Sequence, residues 1–333
     1  MAALSLCMIA KNEEQYLENC LNNIKELADE IIIADTGSTD KTKEIARKFT
    51  SKVFDFKWND NFSEARNFSL SKATKEWILV LDADELIDKA KIRDLLKIKE
   101  TNVAGFSFEQ RSYIQIPFPG CFRNDSSFEP IKKYPFYVKK NLVRLFRNNQ
   151  GLLFKHRIHE IVEDSIKEKG LKFEKTDIIL HHLGSVKDIQ KIEDKTKQYS
   201  KLILKQLEDN PNSARYNYYA AKHYLSIKDL GNALKYFKKT AEINPEYKLI
   251  YSEIAKVYLM MNDVENAMEN FRKSMELNPN DPSPANNLAV TLMHKNKLDE
   301  AKRILEQQLK KHPNNNALKA NYEQLKNHTV KKN

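Results

Sequence analysis

Four prolines in the C-terminal part of the chain recur at one fixed interval, and this interval constrains the fold more than any other feature. The prolines, each 34 residues after the one before, are Pro211, Pro245, Pro279 and Pro313. Three further positions keep the same register, and they are occupied by Ala221, Ala255 and Ala289, by Ala233, Ala267 and Ala301, and by Phe237, Phe271 and Leu305. Small residues at fixed positions let two antiparallel helices approach closely, and a proline ends one pair before the next. The sequence therefore predicts stacked helix pairs over 211–244, 245–278 and 279–312.

The period and the spacing of the small residues resemble the tetratricopeptide repeat. Three full repeats and a capping helix over Asn315–Asn327 would form a short all-α solenoid within 211–333. A connecting helix is predicted before it, over 185–210. Because the edge at Tyr322–Leu325 suits either capping or self-association, the sequence leaves a homodimer open.

The first hundred residues alternate short apolar runs with amphipathic stretches. Runs rich in Ile, Val, Leu and aromatic residues predict strands at Leu4–Ala10, Glu30–Ala34, Lys52–Phe56 and Glu76–Leu81. Helical patterns follow them at Glu13–Leu27, Asp40–Phe49, Phe62–Ala73 and Lys89–Lys99. This alternation predicts an α/β domain with a parallel sheet that is covered on both faces. Ligands of such sheets bind beyond the carboxyl ends of the strands, so residues that follow each strand are the candidates for a site.

The helical period fades between residues 104 and 183, and the α/β domain is predicted to span 1–184. Further strands are predicted at Phe106–Tyr113, Val138–Phe146 and Asp177–His182. The stretch Ile114–Tyr137 between the first two holds four prolines and several aromatic residues. This composition suits either a loop that covers a substrate or a packed insertion.

The formal net charge of +10 is distributed unevenly, with +2 on residues 1–186 and +8 on residues 187–333. The C-terminal lysines are scattered among glutamates at helical spacing, which is typical of solvent-facing helices. No basic stripe interleaved with stacking aromatic residues is present, so we expect no nucleic-acid partner, although an acidic partner is compatible with the charge.

Cysteine usage and the N-terminal residues bear on the compartment. The three cysteines, Cys7, Cys20 and Cys121, have no metal-ligand spacing and are typical of reduced thiols in a cytoplasm. The apolar run Leu4–Ala10 is too short to span a membrane and ends at charged residues. We therefore expect a cytoplasmic protein without a transmembrane segment.

Two carboxylates one residue apart follow the fourth predicted strand, in the run Asp82-Ala83-Asp84-Glu85. Hard oxygen ligands are those that Mg²⁺ and Mn²⁺ prefer, and such ions commonly share their coordination sphere with phosphate oxygens. The run therefore suits a divalent cation held against a diphosphate. Acidic residues at strand ends are common, so this motif alone is not specific.

Polar residues also follow the second strand and occupy the third helix. In Asp35-Thr36-Gly37-Ser38-Thr39-Asp40, turn formation and helix capping explain the last three residues but not Asp35. A carboxylate that ends a buried strand is costly to bury unpaired, and Asp35 is placed to accept hydrogen bonds from a nucleobase. Arg66 is a candidate for pairing with a carboxylate or for contacting the nucleotide.

Four motifs occur in one order, namely Ala10-Lys11-Asn12-Glu13, Asp35-x-Gly37-Ser38-x-Asp40, Ala65-Arg66-Asn67 and Asp82-x-Asp84. Together they resemble glycosyltransferase family 2, an inverting class with the Rossmann-like GT-A fold of nucleotide-diphospho-sugar transferases. The resemblance implies a UDP-sugar donor and Mn²⁺ or Mg²⁺ as cofactor. It places Ala10, Asn12 and Glu13 in the donor site, Asp35 on the base, and Arg66 beside it. It also implies that Asp82 lies near the ribose or the metal and that Asp84 is the principal metal ligand.

The later part of the domain resembles family 2 enzymes that are fused to tetratricopeptide repeats. In these a strand ending in His-x-Gly precedes the helices, and His182 is the matching position, which implies a further metal ligand beside Asp84. A tyrosine often follows the glycine, but Ser185 stands here. Inverting transfer needs a base to take the acceptor's proton, and Glu160 is the leading candidate, with His159 as the alternative base or acceptor contact. Asp164, in a predicted helix over Glu160–Lys169, is a weaker candidate.

The resemblance implies a metal-dependent hexosyltransferase. Its fused subgroup includes the sublancin-type enzymes, which glycosylate bacteriocin peptides on cysteine or serine, so a peptide or protein acceptor held through the repeats is the first expectation. A capsule or cell-wall saccharide is the alternative acceptor. A non-catalytic sugar-nucleotide-binding scaffold with a repeat adaptor is the alternative class, and the joint presence of Asp35, Arg66, Asp82 and Asp84 argues against it.

Overall fold

The chain divides into two compact units, Met1–Leu202 and Ile203–Asn333. A computed structural model describes residues 2–87, 92, 103–117, 120–126, 128–183, 189–247 and 249–330, with the backbone alone for 189–198 and 328–330. The boundary between the units lies inside the segment 185–210, where the sequence predicts a connecting helix. The helix predicted over Lys89–Lys99 lies, apart from Ile92, outside the described residues.

The described residues of the first unit form a nine-stranded mixed sheet. Its strands are β1 Leu4–Ala10, β2 Glu30–Asp35, β3 Val53–Asp55, β4 Trp77–Val80, β5 Glu85–Ile87, β6 Val103–Ile114, β7 Phe122–Arg123, β8 Phe136–Arg147 and β9 Lys172–His182. Their spatial order is β3-β2-β1-β4-β8-β6-β9-β5, and β7 pairs with β8. The first four strands pair in parallel, as predicted.

The second half of the sheet departs from the parallel arrangement that the alternation predicted. Strand β8 runs antiparallel to both β4 and β6, and β5 runs antiparallel to β9. The reason is the chain connection: the described part of the stretch between β6 and β8 contains no crossover helix long enough to return the chain for a parallel pairing. The parallel pairing predicted for the first hundred residues is confirmed for β1 to β4, and the later strands, whose direction the sequence did not predict, make the unit a mixed-sheet α/β domain.

Helices of the first unit are α1 Leu17–Ile24, α2 Thr42–Arg47, α3 Phe62–Leu70, α4 Glu129–Lys132 and α5 Glu163–Glu168, and the next helix, α6 Ile189–Asp209, contains the boundary between the units. Helix α1 buries Leu17, Cys20, Leu21 and Ile24, the i, i+3, i+4, i+7 pattern of one apolar stripe. Helix α3 is capped by Asn61, whose side chain accepts a hydrogen bond from the Glu64 amide.

The described residues of the stretch between β6 and β8 form a packed insertion. Tyr113, Ile131, Tyr134 and Tyr137 bury one another in a small apolar cluster of their own. The ring of Tyr113 stacks on that of Tyr134 with 6.0 Å between centroids. Of the two interpretations that the composition allowed, the described contacts favour packing.

The second unit consists of helices α7 Ala214–Ser226, α8 Leu230–Ile243, α9 Ile250–Met260, α10 Val264–Leu277, α11 Pro282–His294, α12 Leu298–Lys311 and α13 Asn316–Val330. These are three helix pairs and a terminal helix, which confirms the predicted repeats. The alanines and large apolar residues that keep the 34-residue register are all fully buried, namely Ala221, Ala233, Phe237, Ala255, Ala267, Phe271, Ala289, Ala301 and Leu305. Leu325 of the terminal helix is buried as well, so this helix caps the apolar core of the repeats.

Aspartates cap the second helix of two repeats at the same repeat position. Asp229 accepts the Asn232 amide at 3.0 Å, and Asp263 accepts the Asn266 amide at 3.2 Å. Each such cap stabilises its helix by about 1 kcal/mol. No helix among the described residues is long and apolar enough to cross a membrane.

Candidate active site

Parallel pairing brings the ends of β1, β2 and β4 to one edge of the sheet. Ala10 is the register partner of Asp35, and the carbonyl of Ala10 accepts the Thr36 amide at 2.9 Å. Asp82 follows β4, the neighbour of β1 on its other side. Three of the four predicted motifs are therefore adjacent, as the strand-end rule requires.

The loops after β1 and β2 are bonded to one another. Asn12 has a left-handed backbone with φ of 55°, a conformation that asparagine tolerates. Its side-chain oxygen accepts the Thr39 amide at 2.8 Å, and its own amide donates to the Ser38 hydroxyl at 3.0 Å. The Glu13 amide donates to the Thr42 hydroxyl at 2.8 Å. Asn12 and Glu13 thus fix the shape of the edge near Asp35.

Asp35 is almost fully buried and is only half satisfied. Its Oδ1 accepts the amides of Gly37 and Ser38, at 3.0 and 2.9 Å. Its Oδ2 is buried and has no hydrogen-bond partner among the described residues. Because a buried acceptor without a donor costs free energy, this oxygen suits a ligand that brings an N–H group.

Two arginines and three carboxylates form a continuous ionic chain beside this edge. Arg66 donates from Nε to Glu160 Oε1 and from Nη2 to Asp82 Oδ1, both at 2.7 Å. Arg144 donates from Nη2 to Asp82 Oδ2 at 3.1 Å and to Glu85 Oε1 at 3.0 Å. The side chain of Asp82 is therefore held on both oxygens by guanidinium groups.

Burial and charge act in opposite directions on this ionic chain. Burial alone would raise the pKa of Asp82, but Arg66 and Arg144 outweigh it and hold the pKa well below its ordinary value. Burial acts to raise the pKa of Glu85, and Arg144 opposes that shift. The two carboxylates that Arg66 contacts raise the pKa of its guanidinium against the effect of burial. Asp82 consequently stays ionised and in place near neutral pH.

Asp84 and His182 approach each other at the end of β9. The distance from Asp84 Oδ2 to His182 Nε2 is 3.5 Å, and His182 Nδ1 lies 3.1 Å from the Ser112 hydroxyl. A histidine that binds a metal through one ring nitrogen commonly uses the other for such a hydrogen bond. Among the described residues no group of three or more His, Cys, Asp and Glu side chains could hold a metal ion. Asp84 and His182 are thus two side chains that could each contribute a ligand to a cation.

Glu160 and His159 lie in a short loop, not in the predicted helix. Reciprocal backbone hydrogen bonds between Lys155 and Ile161, at 3.0 and 3.2 Å, close this loop, and helix α5 begins only at Glu163. The loop directs Glu160 onto Arg66, whereas His159 is exposed. Asp164 Oδ2 lies 2.7 Å from His156 Nε2, which gives it a partner outside the ionic chain.

Several residues of this region have no role predicted from the sequence. Glu85 and Arg144 complete the ionic chain, and Arg144 is a charged residue within the apolar run of β8, a signal that it needs a buried partner. Tyr199, on α6, packs its ring against Phe62 at 5.8 Å between centroids. Burial raises the pKa of Tyr199, and the nearby charge of Glu160 adds to the shift. Tyr199 has no signal in the sequence, because the segment 185–210 reads as an ordinary amphipathic helix.

Comparison with known families supports the two-part organisation. Residues 5–159 match glycosyl transferase family 2, and residues 261–325 match a tetratricopeptide repeat family. Among curated relatives, the chain is 37% identical over 169 residues to a TPR repeat-containing protein of Synechococcus elongatus, covering 50% of this chain and 37% of that protein.

Two further relatives are glycosyltransferases by name. The prophage-derived glycosyltransferase SunS of Bacillus subtilis is 26% identical over 236 residues, covering 70% of this chain and 52% of SunS. An uncharacterized glycosyltransferase of Rickettsia typhi is 29% identical over 171 residues, covering 50% of this chain and 53% of that protein. The chain thus spans about half or less of the length of these relatives.

Proposed function

We propose that the protein transfers a sugar from a UDP-sugar to a peptide or protein acceptor, with inversion and with a divalent metal. The premise is that the N-terminal part of the chain is a glycosyl transferase family 2 domain and that tetratricopeptide repeats follow it. The observation that carries the proposal is the cluster at one sheet edge. There the half-satisfied Asp35 ends β2, Asp82 follows β4 and is tied through Arg66 to Glu160, and Asp84 lies 3.5 Å from His182 at the end of β9.

Asp35 is assigned to bind the nucleobase of the donor. Uracil carries a ring N–H group, which could donate to the unpaired Oδ2 of Asp35. The other oxygen of Asp35, Oδ1, is held by two backbone amides. Asp82, held by both arginines, offers an ionised carboxylate to the ribose hydroxyls. These contacts orient the nucleotide along the edge toward Asp84.

Asp84 and His182 are the residues that would hold Mn²⁺ or Mg²⁺. When bound, such a cation neutralises the charge that builds on the departing diphosphate. Ser112 contacts the ring of His182 at Nδ1, and Nε2, which lies 3.5 Å from Asp84 Oδ2, would be the nitrogen that binds the cation. The Leu183 amide donates to the Asp84 carbonyl at 2.9 Å, so the backbones of the two ligands are tied together.

Glu160 is assigned the role of general base. The acceptor's nucleophile attacks the anomeric carbon as the bond to the diphosphate breaks, and the nucleophile's proton passes to Glu160. Arg66 orients the carboxylate through Oε1 and leaves Oε2 for the proton. His159, exposed on the same loop, is the alternative base or acceptor contact.

The acceptor assignment rests on the repeats and on one relative. Repeat solenoids present extended binding surfaces, and the similarity to SunS covers 70% of this chain. A capsule or cell-wall saccharide is the alternative acceptor. We propose that the protein is cytoplasmic and binds no nucleic acid. Formation of a homodimer stays a prediction.

The test is a transfer assay on the full chain. UDP-sugars with Mn²⁺ are incubated with peptide pools that contain Cys, Ser or Thr and, separately, with bacterial surface saccharides, and products are detected by mass spectrometry. We expect one sugar to be added to a peptide by the wild type and none by Asp84→Asn. The matched control is Asp55→Asn, an exposed carboxylate at the end of β3, which should keep its activity.

Transfer to saccharides alone would replace the peptide acceptor. Absence of both transfer and donor hydrolysis, in a folded sample with every sugar tested, would contradict the proposed function.

A further inference from the structure

Glu85 is a fully buried carboxylate beside the candidate donor site, and the proposed mechanism gives it no task. Its Oε2 accepts the Asp82 amide at 2.8 Å. Its Oε1 accepts Arg144 Nη2 at 3.0 Å and also the side-chain amide of Gln110. Because burying a carboxylate costs free energy, the presence of Glu85 at a fully buried position needs a reason beyond packing.

The first part of that reason is the turn that carries Asp84. The Glu85 amide donates to the Asp82 carbonyl at 3.0 Å, while the Glu85 carboxylate accepts the Asp82 amide. These two bonds close the four-residue turn from both sides, and Asp84 is its third residue. The direction of the Asp84 carboxylate therefore depends on a turn that Glu85 locks.

The second part is the placement of His182. Glu85 begins β5 and is the register partner of His182 on β9. The strand that starts at the locked turn thus brings the imidazole of His182 within 3.5 Å of Asp84. Through Arg144, which it shares with Asp82, Glu85 also holds the other carboxylate of the motif.

We propose that Glu85 is the positioning residue of the donor site: it sets the geometry of Asp82, Asp84 and His182 without touching the substrate. This inference rests on the proposed function in that the geometry matters for a metal-bound nucleotide diphosphate. It adds a requirement for an acidic residue directly after the second aspartate, because only a carboxylate can accept from donors on both of its oxygens.

An amide cannot replace this carboxylate. In Glu85→Gln one of the two terminal atoms becomes an NH₂ group, and it must face either the Asp82 amide or the donors of Arg144 and Gln110. Two donors then oppose each other in a buried place, and the turn or the arginine must shift. Loss of such supporting residues typically costs about 10–100-fold in metal affinity or activity.

The experiment is calorimetric titration of UDP into the full chain, once with Mn²⁺ and once with a chelator. We expect Glu85→Gln to lower the UDP affinity about 10–100-fold more in Mn²⁺ than in chelator. General destabilisation would lower both affinities together, so their ratio reports positioning. The matched control is Glu109→Gln, a carboxylate of β6 paired with Arg111 and Lys139, which should keep the ratio.

A second variant keeps the test decisive if Glu85→Gln does not fold. The exchange E85Q/Q110E keeps one buried carboxylate beside Arg144, and the amide that replaces Glu85 can turn its oxygen to the Asp82 N–H and its NH₂ group to the new carboxylate. We expect the exchange to recover the Mn²⁺-dependent UDP affinity toward the wild-type value, and a folded exchange variant without any recovery would overturn the proposal. A ratio unchanged in Glu85→Gln would overturn it as well. If the wild type itself binds neither UDP nor GDP with Mn²⁺, the proposed function fails instead.

Discussion

Replacing Arg66 by methionine should destabilise the first unit by about 3–5 kcal/mol, the range for removing one partner from a buried ionic group. Arg66 is 6% exposed, and its two hydrogen bonds to Asp82 and Glu160 are both 2.7 Å long. Hydrogen bonds to charged groups contribute about 1.5–3 kcal/mol each. Arg144 continues to pair with Asp82 in the variant, which keeps the expected loss within the range given.

A double-mutant cycle tests whether the loss comes from the carboxylate left behind. Glu160→Gln removes the charge that Arg66→Met leaves unpaired, so the double variant should be about 1–3 kcal/mol more stable than the two single losses together predict. Urea unfolding followed by tryptophan fluorescence is suited to the measurement, because Trp58 and Trp77 are the only tryptophans and both lie in the first unit. A cost below about 1 kcal/mol for Arg66→Met, or additivity within about 0.5 kcal/mol, would refute the ionic chain.

Three further predictions concern the protonation of Glu30, the contact of Asp35 with the nucleobase, and the core of the repeats. Hydrogen bonds led by that from Lys52 overcome the effect of burial and lower the pKa of Glu30 to about 2. This carboxylate therefore adds about 3 kcal/mol to the free energy of unfolding above about pH 4.5, and the contribution is lost as the pH falls through 2. Urea midpoints between pH 7 and pH 3 should therefore fall more steeply for the wild type than for Glu30→Gln, and parallel curves would contradict this. Asp35→Asn should weaken UDP binding by about tenfold or more in calorimetry, because the amide loses an acceptor on one side, whereas unchanged affinity would remove the base contact. Phe271→Ala should lower the free energy of unfolding by about 3–5 kcal/mol, measured by urea unfolding followed by circular dichroism. The control Leu277→Ala, at an exposed residue, should lower it by about 0.5 kcal/mol or less, and equal losses for the two variants would contradict the buried core of the repeats.

The repeats were predictable because one signal fixes both their period and their buried face. Ala221, Ala255 and Ala289 keep the 34-residue spacing, and each is fully buried where two helices meet. The periodicity indicates both because each repeat packs against its neighbours through equivalent positions. The first four strands were predictable for a related reason, because a strand buried on both faces is nearly continuously apolar.

Contacts across the sheet were harder to predict, since they depend on pairing between residues far apart in sequence. Arg144 meets Asp82 only because β8 runs antiparallel to β4, which the strand and helix alternation did not indicate. Glu160 meets Arg66 only because the bridge between Lys155 and Ile161 holds Glu160 in a loop, so that helix α5 begins later than predicted, at Glu163. The motif residues could thus be named from the sequence, whereas the ionic chain that links them required the fold.

The central claim is that the edge of the sheet at Asp35 and Asp84 binds a nucleotide diphosphate together with a metal ion. Its most direct test is calorimetric titration of UDP into the wild type and Asp84→Asn, each with Mn²⁺ and with a chelator. The account predicts Mn²⁺-dependent UDP binding by the wild type and loss of that dependence in Asp84→Asn. The claim would be contradicted if UDP affinity were the same with and without Mn²⁺ and in both proteins, or if the folded wild type did not bind UDP.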